Sequence, residues 1–149
     1  MGQIATKTRA DGQLTNLAGE FFVAAELLKR GLQTSVTFGN AKAIDLLAHN
    51  PAINHTFTVQ VKALRAKNCF PISQDQVKAM HIYVFVLLNK PGEAVQYFIV
   101  LGALLVNEAG RFGKEFQDLK FPGILPKHLQ DFAGAWHYFD RVPTIERVQ

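Results

Sequence analysis

Apolar side chains at Leu14, Leu17, Phe21, Ala24 and Leu28 recur three or four residues apart, the spacing of one face of an α-helix, and predict an amphipathic helix over residues 14–30. Gly31 supplies its stop, and Thr15 or Asn16 its N-cap. Gly19 lies inside this helix at a cost of about 1 kcal/mol relative to alanine, which points to close approach by a strand or ligand, or to packing alone. The period then changes. Residues 34–38, 43–49 and 56–63 read as three short strands, separated by Gly39-Asn40 and Asn50-Pro51, in a meander. In the third, Phe57, Val59, Val61 and Ala63 alternate with Thr58, Gln60 and Lys62, so Gln60 and Lys62 point the same way.

Further along, Ser73 and Gln76 match a capping box and predict a short helix to about Met80. Residues 82–88 are a continuous apolar run closed by Asn89-Lys90-Pro91-Gly92, as expected of a central strand buried on both faces, and residues 95–101 return as its hairpin partner. A helix is predicted over residues 104–109, and Pro126 opens a last one carrying Leu129, Phe132, Ala133 and Trp136. The order α-β-β-β-α-β-β-α-α is mixed α/β.

Composition narrows the class. The chain has 149 residues, 48% hydrophobic and 19% charged, the balance of an ordinary globular domain, and residues 1–149 are expected to form a single one. The longest apolar stretch, residues 97–106, falls short of the roughly 20 residues that span a bilayer, so no membrane segment is expected. The first 13 residues hold no apolar core of a secretory signal. A lone Cys69 cannot build a disulfide framework and fits a reducing, cytoplasmic location. The net charge of +4 permits nucleic-acid binding, although the basic residues are scattered and no run of five occurs.

Candidate chemistry gathers in Glu20 of the first helix, Asp45 of the second strand and Gln60-Val61-Lys62 of the third. If those strands pair, Asp45 and Gln60 bring two oxygens and Lys62 an ammonium around one point, a layout for metal-assisted hydrolysis. The Val61 carbonyl would add a further oxygen for a hard cation such as Mg²⁺. Singly, each residue has a plainer role: Asp45 as a turn former, Lys62 as a solvated edge charge. The ordered set favours the functional one. Glu26, about 600° round the helix from Glu20, faces elsewhere and suits an ion pair with Arg30. His49, His55, His81, His128 and His137 show no zinc spacing with cysteines and read as structural, as Cys69 does. Trp136, Tyr138 and Phe139 suit a core better than base stacking.

The segments G-E-F-F-V-A-A-E-L-L-K-R-G (residues 19–31), G-N-A-K-A-I-D-L-L-A (39–48) and V-Q-V-K (59–62) resemble the PD-(D/E)XK nuclease superfamily. The similarity is to its Holliday-junction-resolvase and Mrr-like restriction branches, in the Q-x-K variant, where a helix Glu precedes an Asp strand and an E/Q-x-Lys strand. It covers roughly residues 17–88 and extends to I-S-Q-D-Q-V-K-A-M, where Gln76 matches a helix glutamine of such nucleases. The resemblance implies a single-domain restriction-endonuclease-like fold, a central mixed β-sheet with an α-β-β-β-α-β core plus an extra strand, flanked by helices. It further implies hydrolysis of DNA phosphodiester bonds with Mg²⁺ or Mn²⁺, in repair, recombination or restriction. Asp45, Gln60, the Val61 carbonyl and Glu20 would hold the metal, and Lys62 would position water and stabilise phosphate charge. DNA would be the partner, met by Lys42, Arg65, Lys67 and Gln76, and a homodimer would suit cleavage of both strands. Gln60 departs from the commonest pattern, since a neutral amide is a weaker ligand than a carboxylate. The alternative is a non-catalytic nucleic-acid-binding or assembly module that keeps the fold.

Overall fold

The first helix and the sheet beneath it set the architecture, seen in a computed structural model that describes residues 9–37 and 44–144. Helix α1 spans Arg9–Lys29, and strands β1 (Gln33–Val36), β2 (Leu46–Asn50) and β3 (His55–Leu64) follow as an antiparallel meander. A short β4 (Phe70–Pro71) leads to β5 (Ile82–Leu87), which pairs parallel to β3, and β6 (Gln96–Leu101) returns antiparallel beside it. The five-stranded mixed sheet has the order β1-β2-β3-β5-β6. The mixed α/β class and the central sheet flanked by helices agree with expectation. Phe38, Gly39, Asn40, Lys42 and Ala43, which belong to the predicted second element boundary and basic flank, lie outside the described residues.

Strand alternation divides the core into two layers. Val59, Val61 and Ala63 of β3 with Ile82, Val84 and Val86 of β5 pack under Val23, Ala24 and Leu27 of α1. On the opposite face, Tyr83, Phe85 and Leu87 pack against the C-terminal third: α2 (Gly102–Asn107), β7 (Gly123–Ile124) and a series of single 3-10 turns. Every residue of β5 is buried, as its unbroken apolar run requires.

Four expectations are corrected. Of the predicted stripe only Ala24 is buried, while Leu14, Leu17, Phe21 and Leu28 are exposed, and the core face of α1 is Thr15, Gly19, Val23, Ala24 and Leu27. The cause is Gly19: a Cβ there would stand 2.6 Å from the Ala63 Cβ and 3.3 Å from Val61 Cγ1, so helix and strand meet closely where neither carries bulk. Thr15 is no N-cap, because the helix begins before it and its hydroxyl donates to the Asp11 carbonyl at 2.8 Å. The capping box is not made: Ser73 forms no side-chain cap, and one 3-10 turn, Gln74–Gln76, ends at an extended Val77 that is buried. The last helix is instead three 3-10 turns, Pro126–His128, Gln130–Phe132 and Trp136–Phe139. It breaks where Ala133 bridges to Phe98 of β6 and Gly134, at φ 61°, donates its amide to the Tyr97 carbonyl, covering an edge strand. The two-stranded β4-β7 pair has no separate sequence signal and joins segments more than fifty residues apart.

Gly19→Val places a branched side chain in the α1–β3 contact. In a urea titration it is expected to lower the unfolding free energy by about 2–3 kcal/mol, and Ala63→Gly in the same chain to return part of that loss. A neutral Gly19→Val contradicts the close approach.

Candidate active site

Asp45 stands just ahead of β2, beyond the end of β1 and beside the middle of β3. Its amide donates to the Val59 carbonyl at 2.9 Å, its carbonyl accepts the Thr37 amide at 3.0 Å, and its Oδ2 accepts the Val61 amide at 2.8 Å. The carboxylate thus continues the β2–β3 ladder by one side-chain rung, which holds it at the rim of the sheet. Glu20 follows Gly19, the residue that brings α1 down on β3, and its half-buried carboxyl hydrogen-bonds to the Asp45 side chain. Burial first, then the Asp45 charge and that hydrogen bond, raise the Glu20 pKa from 4.5 to about 7. Near neutral pH the pair therefore holds one proton for part of the time.

Gln60 and Lys62 leave β3 on the face opposite α1 and are half-buried. They line one cavity of about 420 Å³ with Ser73, Gln76, Lys78 and Tyr83. Lys62 also lines a second cavity, about 530 Å³, that reaches Asn16 of α1, Arg65 and Phe70. Lysine is long enough to serve both, and it stands between them. Tyr83 pairs with Gln60 across β3 and β5, and its hydroxyl accepts the Lys78 amide at 2.9 Å, which ties the loop after the 3-10 turn to the cavity floor.

The structure thus brings Glu20 to Asp45, Asp45 to the Val61 amide, and Gln60, Lys62 and Gln76 to one cavity. Among the basic residues, Arg65 is exposed and donates from Nε to Thr15 Oγ1 at 2.8 Å, anchoring the end of β3 to α1. Lys67 is exposed in the bend beyond β3, while Lys42 lies outside the described residues. Asn16 and Ser73 read in the sequence only as helix caps and Tyr83 only as part of an apolar strand, because strand pairing and the folded loop are what bring them to the cavities.

A solved structure described as that of a bacterial homing endonuclease, I-Ssp6803I, matches 93% of this chain and 92% of its own, with a TM-score of 0.56 and 13% sequence identity. The fold is similar to that of a homing endonuclease. No protein-family model and no curated protein matches the chain. The shared nuclease-like architecture agrees with the mixed sheet and flanking helices described above.

Other candidates resolve as structural. Glu26 pairs with Arg30 at 3.6 Å, and the Arg30 guanidinium lies over the Trp136 ring. Trp136 and Phe139 are buried in the α1-side core. His81 is buried with Nδ1 2.6 Å from the Thr58 hydroxyl, and burial, then Lys78, lower its pKa. His49 Nδ1 lies 2.9 Å from Thr56 Oγ1. Among the described residues no cluster of three or more His, Cys, Asp or Glu is arranged for a metal, and no helix is long and apolar enough to cross a membrane. Any cation held by Glu20 and Asp45 would need amide or carbonyl oxygen beside them.

The raised Glu20 pKa makes stability pH-dependent with a definite sign. Between 4.5 and about 7 the folded chain binds more protons at Glu20 than the unfolded chain, so stability falls as pH rises. This contribution is present below 4.5 and lost as pH rises through about 7. Urea titrations across that window are expected to show the decline, and Glu20→Gln to remove it. Asp45→Asn is expected to return the Glu20 titration, followed by carboxyl carbon NMR, toward its ordinary range. A native Glu20 that already titrates near 4.5 contradicts the pairing.

Proposed function

We propose that the protein is a Mg²⁺- or Mn²⁺-dependent nuclease of the PD-(D/E)XK type that hydrolyses DNA phosphodiester bonds, with Glu20, Asp45, Gln60 and Lys62 as its working residues. The observation that carries this reading is the carboxylate pair. Two acids held together at a sheet rim repel each other as anions, and this repulsion adds to burial in keeping a proton on Glu20 near neutrality. A divalent cation relieves that repulsion more fully than one proton does, so the donor set fits one. The Val61 carbonyl supports the same reading, since a residue's C=O leaves a strand on the same side as its N–H, here the side of Asp45.

A cation bound there would neutralise phosphate charge and favour ionisation of water. The chain's own groups supply the rest. Gln60 offers an amide oxygen without charge, so the site would bind a cation more weakly than one with three carboxylates. Lys62, at the junction of two cavities, donates N–H bonds to a phosphate oxygen as charge develops there, while Glu20 orients or accepts a proton from the attacking water. Water oxygen bonds to phosphorus, the phosphorus–oxygen ester bond breaks, and the leaving oxygen takes a proton. Arg65, Lys67 and Gln76, with Lys42, are assigned to the phosphate backbone, which supplies most sequence-independent affinity. The likeness to a homing endonuclease structure supports the reading at the level of the fold.

Plasmid and branched DNA incubated with Mg²⁺ or Mn²⁺ test it. The unaltered chain is expected to cleave, and Lys62→Ala to lose about 100-fold or more in rate while remaining folded. Salt-sensitive DNA binding with no cleavage by the unaltered chain would overturn the catalytic reading in favour of a binding module.

A further inference from the structure

Lys62 stands between two cavities of opposite chemistry. The one of about 420 Å³ is walled by polar groups, among them Gln60, Ser73, Gln76 and Lys78. The one of about 530 Å³ is walled mainly by Ala63, Leu64, Phe70, Pro71 and the bare backbone of Gly12. It exists because β2 ends at Leu46, opposite Val59, so that among the described residues Lys62, Ala63 and Leu64 pair with a strand on the β5 side alone. The first turns of α1 and the short β4 border the gap that this leaves.

Three features define what this second cavity takes. Its volume lies within the roughly 300–1,000 Å³ of small-molecule sites, and its apolar walls suit a flat, weakly polar group better than a hydrated ion. Gly12 supplies the second feature. A Cβ there would meet nothing within 4 Å, so packing does not call for glycine as it does at Gly19, and a residue unfavourable in a helix stands where it keeps the cavity open. Charge supplies the third. Arg65 donates from Nε to Thr15 Oγ1 at 2.8 Å, which fixes its guanidinium with Lys62 on the β3 side, while Asp11 lies on the α1 side. An anion is therefore held at the β3 side and turned away from the helix. Asn16, one turn on from Gly12, adds a carboxamide, which donates and accepts hydrogen bonds as the edge of a base does.

A flat ring with a polar edge, joined to an anion, is a nucleotide. We infer that the cavity receives the base of one nucleotide that has left its stack, with that nucleotide's phosphate on Lys62 and Arg65, so that the preferred substrate is a DNA strand with unpaired bases. This rests on the proposed action on DNA and adds to it the form of the DNA. A base inside a duplex enters a cavity between helix and sheet only after it is unpaired and unstacked, a cost that is least for a strand already single. The polar cavity on the other side of Lys62 then takes the sugar-phosphate chain.

Binding measured in a chelator tests this separately from cleavage. Fluorescence anisotropy is expected to find a short single strand bound about 10-fold or more tighter than the duplex of the same sequence. Gly12→Phe, whose ring would occupy the cavity, and separately Asn16→Leu are expected to remove that preference, with duplex binding and the circular dichroism spectrum unchanged. Should either variant misfold, the other decides. A preference that persists in a chain that never cleaves DNA supports the proposal and counts against the catalytic reading alone. No binding to either form, equal affinity for both, a preference that survives both variants, or a free deoxynucleoside monophosphate bound as tightly as the strand would overturn it.

Discussion

The close contact between Gly19 of α1 and Ala63 and Val61 of β3 is the constraint on which the molecule depends. It fixes the rotation of the helix. Once Gly19 faces the sheet, Val23, Ala24 and Leu27 must enter the core with it, and Leu14, Leu17, Phe21 and Leu28 must face away. Glu20, one residue on, is carried to the rim where Asp45 caps the Val61 amide. One small residue thereby determines the core face, the acidic pair and the apolar outer strip. A side chain at position 19 would lift the helix and separate all three.

Much of this order was legible in the sequence, for local reasons. The alternation of β3 is local, so the common side of Gln60 and Lys62 and the opposite side of Val61 could be read directly. The all-apolar run of β5 and the turn before β6 are local as well. The helix stripe was not decidable locally, because α1 is apolar on two sides. Leucine and phenylalanine at heptad spacing mark one side, and small residues with Val23 and Leu27 mark the other. Size settles it, since a helix lies closest to a sheet where its side chains are smallest. The C-terminal turns were read as a helix because their apolar spacing fits one, yet the Gly134 amide bonds to Tyr97 in a strand more than thirty residues earlier. Contacts of that range leave no periodic trace.

The candidate site shows the same division. The pairing of Glu20 with Asp45 needs α1 and the start of β2 to meet beside Val59 and Val61 of β3, a long-range arrangement that local periodicity does not encode. Its electrostatics are informative beyond geometry. Two carboxylates half withdrawn from water oppose folding when both are charged, and Glu20 responds by holding its proton. Arrangements that strain the local charge balance in this way concentrate at functional sites, where a ligand restores the balance. In the proposed site Gln60 would add no third negative charge, so cation and nucleic-acid phosphate would complete it together.

The central claim, a divalent cation site at the Asp45–Val61 rim, is tested most directly by adding Mn²⁺ to isotopically labelled protein and following the backbone amides by NMR. Paramagnetic broadening falls steeply with distance. The account predicts that the amides of Asp45, Leu46, Gln60, Val61 and Lys62 broaden first, with those of Glu20 and Phe21, and that Asp45→Asn abolishes the effect. Broadening centred on other carboxylates, such as Asp118 or Glu93, with the Asp45–Val61 rim unchanged, would contradict it.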